Sequence, residues 1–289
     1  MGRCLPIALL AWLPAMTADL KVDHATAAGR DLRAMERAIQ AAGMPYEYGG
    51  PHANHATEMA LISFPDGSYL ELIAIQPQAE PAAVAATPWQ KCMEGNAGPC
   101  AWAVRPMDLS AEAARLKAAA VPVTPPARNG RKRPDGVQLD WETAQVGAGN
   151  GNFFPFLIRD FTPRDRRAYP GGKPTTANFT GIAKVVLAVR DLDGAIARYE
   201  RAYALPAPQK QDDSTFGAKL AWFPGTPVVL AAPASPQSWL TERLDRYGEM
   251  PCAFILGGGK VMRAAANWFG TPISWLASDT LGWRLGVEP

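Results

Sequence analysis

A chain of 289 residues, 48% of them hydrophobic and 19% charged, is long enough for two globular domains of about 100 to 200 residues each. Lys and Arg number 29 against 27 Asp and Glu, a formal charge of +2, so no long-range field draws the protein to nucleic acid or an anionic membrane surface. Those two partner classes are set aside.

The opening stretch MGRCLPIALLAWLPAMTA starts basic at Arg3, runs apolar from Leu5 to Leu13 and ends in small residues at Ala18, the order of an export signal. Residues 1–18 are therefore expected to be a signal peptide, giving an exported protein, periplasmic or secreted. The other reading is a short N-terminal extension on a cytoplasmic protein. The apolar run is far shorter than the roughly 20 residues that span a bilayer, and no other segment reads as transmembrane. Beyond the leader stand Cys92, Cys100 and Cys252. Cys92 and Cys100 enclose the loop MEGNAGP and are a candidate disulfide in an oxidising compartment. Separate buried thiols are the equal alternative, because spacing does not show whether their Cβ atoms approach.

LKVDHATAA reads as a strand, and DLRAMERAIQAAG as a helix with Leu32, Met35, Ile39 and Ala42 on one face. Asp31 is placed to cap its start and Gly43 to end it. Tyr46 to Tyr48, a break at Gly49-Gly50-Pro51, Met59 to Phe64, a Pro65-Asp66-Gly67 turn and Tyr69 to Ile75 complete the order β, α, β, β, β. CAWAVRP, SAEAARLKAAAV, a basic loop from Arg128 to Gly136, VQLDWETAQV and FFPFLIRDF repeat it more loosely. The segment TPRDRRAYPGGKPTTANFT, residues 162–180, is polar and rich in Pro and Gly and reads as a linker, with the boundary near Gly172. GIAKVVLAVRDL, DGAIARYERAYAL, FGAKLAWF and VVLAA then renew the pattern, with Arg190-Asp191-Leu192 in the place of Arg30-Asp31-Leu32. A fourth unit runs from PCAFILGGG to GWRLGV. The expected fold is α+β, with repeated βαβββ units paired into bowl-shaped mixed sheets and helices on the outer faces. The expected domains are 19–161 and a degenerate second one at 181–289.

KVDHATAAGRDL, the GGPH of Gly49 to His52, ALISF, DGSYLELIAI and FPFLI resemble the vicinal oxygen chelate superfamily, in its glyoxalase-like branch, whose relatives include glyoxalases, bleomycin-resistance proteins and extradiol dioxygenases. The resemblance covers roughly Leu20 to Asp160 and, more weakly, Gly181 onward. It implies that two units close a bowl, that the first and fourth strands of a unit lie side by side, and that each unit can offer one metal ligand. The Gly-Thr-x-Asn-type phrase expected after GG-x-H is replaced by His55-Ala56-Thr57-Glu58, which keeps only Thr57.

Alternation in YLELIAI puts Tyr69, Glu71, Ile73 and Ile75 on one face, so Glu71 points away from the helix and into any bowl. His24 shares a face with Val22 and Thr26. A carboxylate among apolar neighbours must be paired, protonated or metal-bound, because an isolated buried charge costs several kcal/mol. The three histidines, His24, His52 and His55, all fall in the first unit. Two His and one carboxylate suit Fe(II), and the same donors suit Zn, with Mn and Ni in the same range. The candidate divalent-metal ligands are thus His24, Glu71 and one of His52 or His55, with Glu71 also the candidate proton-transfer group. Two other readings stand: His24 and Glu71 hydrogen-bond each other in a metal-free pocket, or both are structural. Tyr69, Trp102 and Trp141 are candidate ligand-binding residues, with Trp222 a further bowl-lining candidate. Lys184 aligns with His24 and Leu230 with Glu71, so the second half lacks both ligands. The second unit offers none in CAWAVRP or FFPFLI, which argues against a four-ligand glyoxalase I site.

Two functional classes follow: a metal-dependent enzyme acting on a small oxygenated molecule, and a metal-free small-molecule binding protein of the bleomycin-resistance type. In a third reading the second half is a structural or dimerising partner, compatible with a homodimer. Gly257-Gly258-Gly259-Lys260 lacks P-loop spacing and reads as a strand-to-helix turn. The basic run from Arg128 is expected to be a solvated loop or, less readily, a guide for an anionic ligand.

Overall fold

A computed structural model describes residues 20–149, 151–261, 264–276 and 278–289. The expected leader lies outside the described residues. In chain order the elements of the first half are β1 (Val22–Ala28), α1 (Leu32–Ala41), β2 (Glu47–Pro51), β3 (Thr57–Ser63), β4 (Tyr69–Ile75), α2 (Pro81–Ala86), α3 (Gln90–Glu94), β5 (Gly98–Val104), α4 (Leu109–Ala118), β6 (Ala127–Lys132), β7 (Gln138–Ala144), β8 (Phe156–Asp160) and α5 (Arg164–Ala168). There follow β9 (Gly181–Ala188), α6 (Leu192–Tyr203), β10 (Gln209–Asp213), β11 (Ala218–Trp222), β12 (Val228–Pro233), α7 (Trp239–Tyr247), β13 (Met250–Gly257), β14 (Ala266–Trp268), β15 (Thr271–Leu276), α8 (Ser278–Leu281) and β16 (Arg284–Val287).

The strands form two eight-stranded mixed sheets with one repeated order, β2-β3-β4-β1-β5-β8-β7-β6 and β10-β11-β12-β9-β13-β16-β15-β14. In each unit the first and fourth strands pair in parallel, as β1 with β4 and β9 with β12. The two units of a sheet meet through antiparallel first strands, β1 with β5 and β9 with β13. Three βαβββ units are therefore present, with a fourth that keeps the four strands but shows no helix between its first two among the described residues, and each pair curls into a bowl. Among the described residues no helix is long and apolar enough to cross a membrane.

The helix-bearing faces of both sheets share one apolar core. Leu70 and Leu72 of β4, Ile39 of α1 and Leu116 of α4 belong to it together with Leu187 of β9 and Tyr199 of α6. Helix α1 starts where the sequence marks it: the Asp31 carboxylate accepts the Ala34 N–H at 3.1 Å, and Asp108 caps α4 in the same way. Asp31→Ala is expected to cost about 1 kcal/mol, read as a lower urea midpoint at unchanged m. An unmoved midpoint would show that the cap contributes nothing.

The second bowl is filled rather than open. Phe216 packs on Trp268 and Trp275 with ring centroids 5.0 and 5.4 Å apart, and Leu240 and Leu244 of α7 close over Val229 and Ala231. Lys184, in the place of His24, is buried beneath Trp222 and paired with Glu288. In the first half Thr26 pairs with Glu71, and in the second Val186 pairs with Val229, so Val229 stands in the place of Glu71. Leu230 is instead a core residue on the opposite face. The second hairpin turns sooner, because Glu71 lies across from Leu61 whereas Val229 lies across from Trp222, and aligning the turns therefore slips one position.

Other expectations are corrected as well. Gly49 to Pro51 is part of β2, where a register shift absorbs the glycines. The basic run from Arg128 to Lys132 is strand β6, paired along its length with β7. The 162–180 segment carries helix α5, and Gly257 to Gly259 lead to no helix among the described residues, the chain returning as β14.

Candidate functional site

The first bowl encloses a cavity of about 550 Å³ lined by His24, His52, Tyr69 and Glu71, by Trp141 and Phe156, and by a rim of Arg128 and Arg131. Glu71 is the one carboxylate among its described lining residues. It is 6% exposed, and the Thr26 hydroxyl donates to its Oε2 at 2.8 Å from the neighbouring parallel strand. His24 Nε2 lies 3.9 Å from Oε2, and His52 Nε2 lies 3.8 Å from the other oxygen, Oε1. Each carboxylate oxygen thus faces one imidazole nitrogen, just beyond hydrogen-bonding range.

The far nitrogens of both rings are held. His24 Nδ1 meets Asp23 Oδ1 at 2.6 Å, and because an ionised carboxylate only accepts, the proton sits on Nδ1. His52 Nδ1 meets Thr57 Oγ1 at 2.8 Å, and Thr57 Oγ1 also accepts from Asn54 Nδ2 at 3.1 Å. Both Nε2 atoms face Glu71. Burial pushes the His52 imidazole down despite the attraction of Glu71, which keeps that ring neutral. Tyr69 stacks on His24 at 4.9 Å with an interplanar angle of 5°, and Phe156 meets the same ring edge-on.

Asp23 is the residue that alternation hides. Successive side chains on a regular strand point to opposite faces, but the β1–β5 register shifts between Val22 and His24, and this bulge turns Asp23 back beside His24. Arg167 Nη1 and Nη2 each bond Asp23 at 3.0 Å, and Arg164 also pairs with it. Arg167 further donates to Tyr69 OH at 2.7 Å and to Asp160. Two arginines one turn apart on α5 thus balance two aspartates from β1 and β8. Burial alone would raise the Asp23 carboxyl, but the opposing charges of Arg167 and Arg164 and the His24 N–H hold it well below the usual carboxylate range.

Of the residues expected from sequence, the structure brings His24, His52, Glu71, Tyr69 and Trp141 together at one cavity. His55 is not among them: it sits exposed on the loop after β2 with φ of 55°. Trp102 is fully buried on the helix-bearing side of β5, in the core rather than the bowl, and Trp222 belongs to the filled second bowl. Cys92 and Cys100 are both buried free thiols, with Cys100 Sγ donating to Thr26 O at 3.4 Å. Asp23, Arg131, Asn54 and Arg167 were missed. The polar run of residues 162–180 hid Arg167, and the Gly and Pro around Arg131 hid its strand.

The donor set fits a divalent ion in kind: two imidazole lone pairs and a carboxylate, each imidazole oriented by an outer partner. The spacing is wider than that of a closed tetrahedral site, where donors about 2.1 Å from the ion lie about 3.4 Å apart. Among the described residues no group of three or more His, Cys, Asp or Glu is gathered tightly enough to hold a metal as it stands.

The sequence model of the glyoxalase-like domain matches residues 22–204, well over half of the chain. The chain belongs to this glyoxalase-like family. The match runs through α5 and into α6, so it spans the first bowl and the start of the second. Among solved structures, a hypothetical protein from Staphylococcus aureus is 14% identical over 93% of this chain and 99% of its own, with a TM-score of 0.63. A mutant of 4-hydroxymandelate synthase from Streptomyces coelicolor is 12% identical over 92% of this chain and 75% of its own, with a TM-score of 0.52. Methylmalonyl-CoA epimerase from Mycobacterium tuberculosis is 19% identical over 39% of this chain and 89% of its own, with a TM-score of 0.34. At such identities the likeness to solved structures speaks to fold alone. No curated protein matches the chain.

Proposed function

We propose that this glyoxalase-like protein holds a divalent metal with His24, His52 and Glu71 and acts on a small oxygenated molecule in the first bowl. The observation that carries the reading is the pair of imidazole nitrogens turned onto the two oxygens of one buried carboxylate, at 3.9 and 3.8 Å. Three groups of metal-ligand type facing one another beyond hydrogen-bonding range leave space suited to a cation. A divalent ion bound there would supply Lewis-acid polarisation of vicinal substrate oxygens. Asp23 keeps the His24 tautomer, Thr26 fixes the Glu71 rotamer, and Trp141 and Phe156 supply the apolar wall that excludes water. Glu71 is also the group placed to take a proton from a bound molecule. The donor types suit Fe, Mn, Ni or Zn alike.

A second reading has one observation in its favour: the donors stand wider than a closed metal site, as in a protein that binds its ligand without a metal. Elemental analysis of protein purified without chelator separates the two. Near-stoichiometric metal, or a rise in melting temperature on adding Mn, Ni, Zn or Fe that His24→Ala removes, supports the metal reading. Neither result in wild type would leave the binding protein standing.

A further inference from the structure

We propose that the first bowl takes a small monoanionic organic acid whose carboxylate binds Arg131, deepening the metal reading above, on which it rests for the site's charge. Arg131 lines the cavity and is only 4% exposed. Its side chain's one hydrogen bond among the described residues is to the Gly49 carbonyl, made through Nη1. No carboxylate among the described residues comes within the 4.0 Å of an ion pair with it. The other buried guanidinium of the bowl differs sharply, since Arg167 is bound by Asp23 and Asp160.

The remaining N–H donors of Arg131 are open to the cavity, where an entering carboxylate would accept them. Position 49 is shaped around this group. A Cβ there would fall 1.9 Å from Met59 Sδ and 3.4 Å from Arg131 Nη2, so glycine makes room chiefly for Met59, beside which the guanidinium rests on the Gly49 carbonyl.

Charge selects the ligand class. The Arg164, Arg167, Asp23 and Asp160 cluster is neutral within itself, which leaves Arg131 and the rim Arg128 against Glu71 alone. With a divalent ion on Glu71 the cavity carries a clear positive excess, and a guanidinium fork matches a planar carboxylate in two parallel hydrogen bonds. The rest of the wall, Met59, Trp141, Phe156 and Ile158, suits an apolar body. The acid's carboxylate therefore lies on the β6 side and its oxygenated carbons toward Glu71.

The test is titration of the whole protein with benzoate and 3-phenylpropanoate against benzamide and 3-phenylpropanamide, by calorimetry and melting temperature. At least one acid is expected to bind wild type roughly 10- to 100-fold more tightly than its amide, the range of a charge-assisted hydrogen-bonded pair. Arg131→Gln should erase that preference, Arg131→Lys should keep part of it, and Arg131→Met should melt no lower than wild type without ligand. Acids and amides that bind alike, acids that do not bind, or an Arg131→Gln protein that keeps the preference would overturn the proposal. A lower melting point for Arg131→Met would too, since it would make Arg131 a structural clamp on Gly49. Glu71→Gln keeps the two readings apart: the preference for acid should survive there at reduced strength, even as the response to added metal disappears.

Discussion

Replacing Asp23 by alanine is expected to cost about 3–5 kcal/mol of stability, the range for removing one partner of a buried charge network. Asp23 is fully buried, accepts both terminal nitrogens of Arg167, pairs with Arg164 and orients His24. Its loss leaves Arg167, itself 3% exposed, with Asp160 as its one remaining acidic partner. The melting temperature should fall by roughly 10 °C for a chain of this size. The same group predicts a pH dependence. Its folded pKa is depressed, so its stabilisation is complete above the ordinary carboxylate range of about pH 4 and is lost as pH falls through the lower folded value. Wild type should therefore lose stability steeply below about pH 4, and Asp23→Asn, which keeps the shape without the charge, should show a shallower acid limb. An Asp23→Asn protein with the wild-type acid limb would mean that the network is electrostatically idle.

The fold was legible wherever period and punctuation agreed. YLELIAI alternates cleanly, so the outward direction of its glutamate follows from the pleat, and Asp31 and Asp191 mark the starts of α1 and α6 by the same phrase. What stayed hidden were departures from period. Asp23 sits at a bulge, which no alternation rule anticipates because the extra residue is chosen by pairing across the sheet. Arg131 lies in a strand whose Asn, Gly and charged residues mimic a loop, and the strand exists because β7 pairs with it. Trp102 illustrates the opposite error. A large aromatic on a first strand suits either face, and here it fills the shared core while the neighbouring Ala103 faces the bowl with Phe156. In the second half Lys184 and Val229 stand in the places of His24 and Glu71, and aromatic residues fill the bowl. The first bowl therefore keeps the open cavity, and the second contributes its helix-bearing face to the common core.

Glu71→Gln is expected to abolish metal-dependent stabilisation while leaving the unliganded protein at least as stable as wild type. The isosteric amide still offers an oxygen to the Thr26 hydroxyl, so the local hydrogen bond survives. What disappears is a buried negative charge that no arginine or lysine contacts directly among the described residues, a costly arrangement unless a cation joins it. The amide nitrogen can also donate toward an Nε2 lone pair that the carboxylate only confronts. Sites kept for function are commonly less stable than a neutral replacement for this reason. In wild type, free metal at about 100 times its Kd should add about 2.7 kcal/mol to the unfolding free energy, and the substituted protein should gain none of it. Paired denaturant titrations with and without Mn or Zn would measure both quantities. An Asp or His ligand elsewhere would preserve the metal increment in the variant and move the site away from Glu71. A large loss of stability without metal would instead make Glu71 a structural residue, held by Thr26 and the two imidazoles for the sake of the fold.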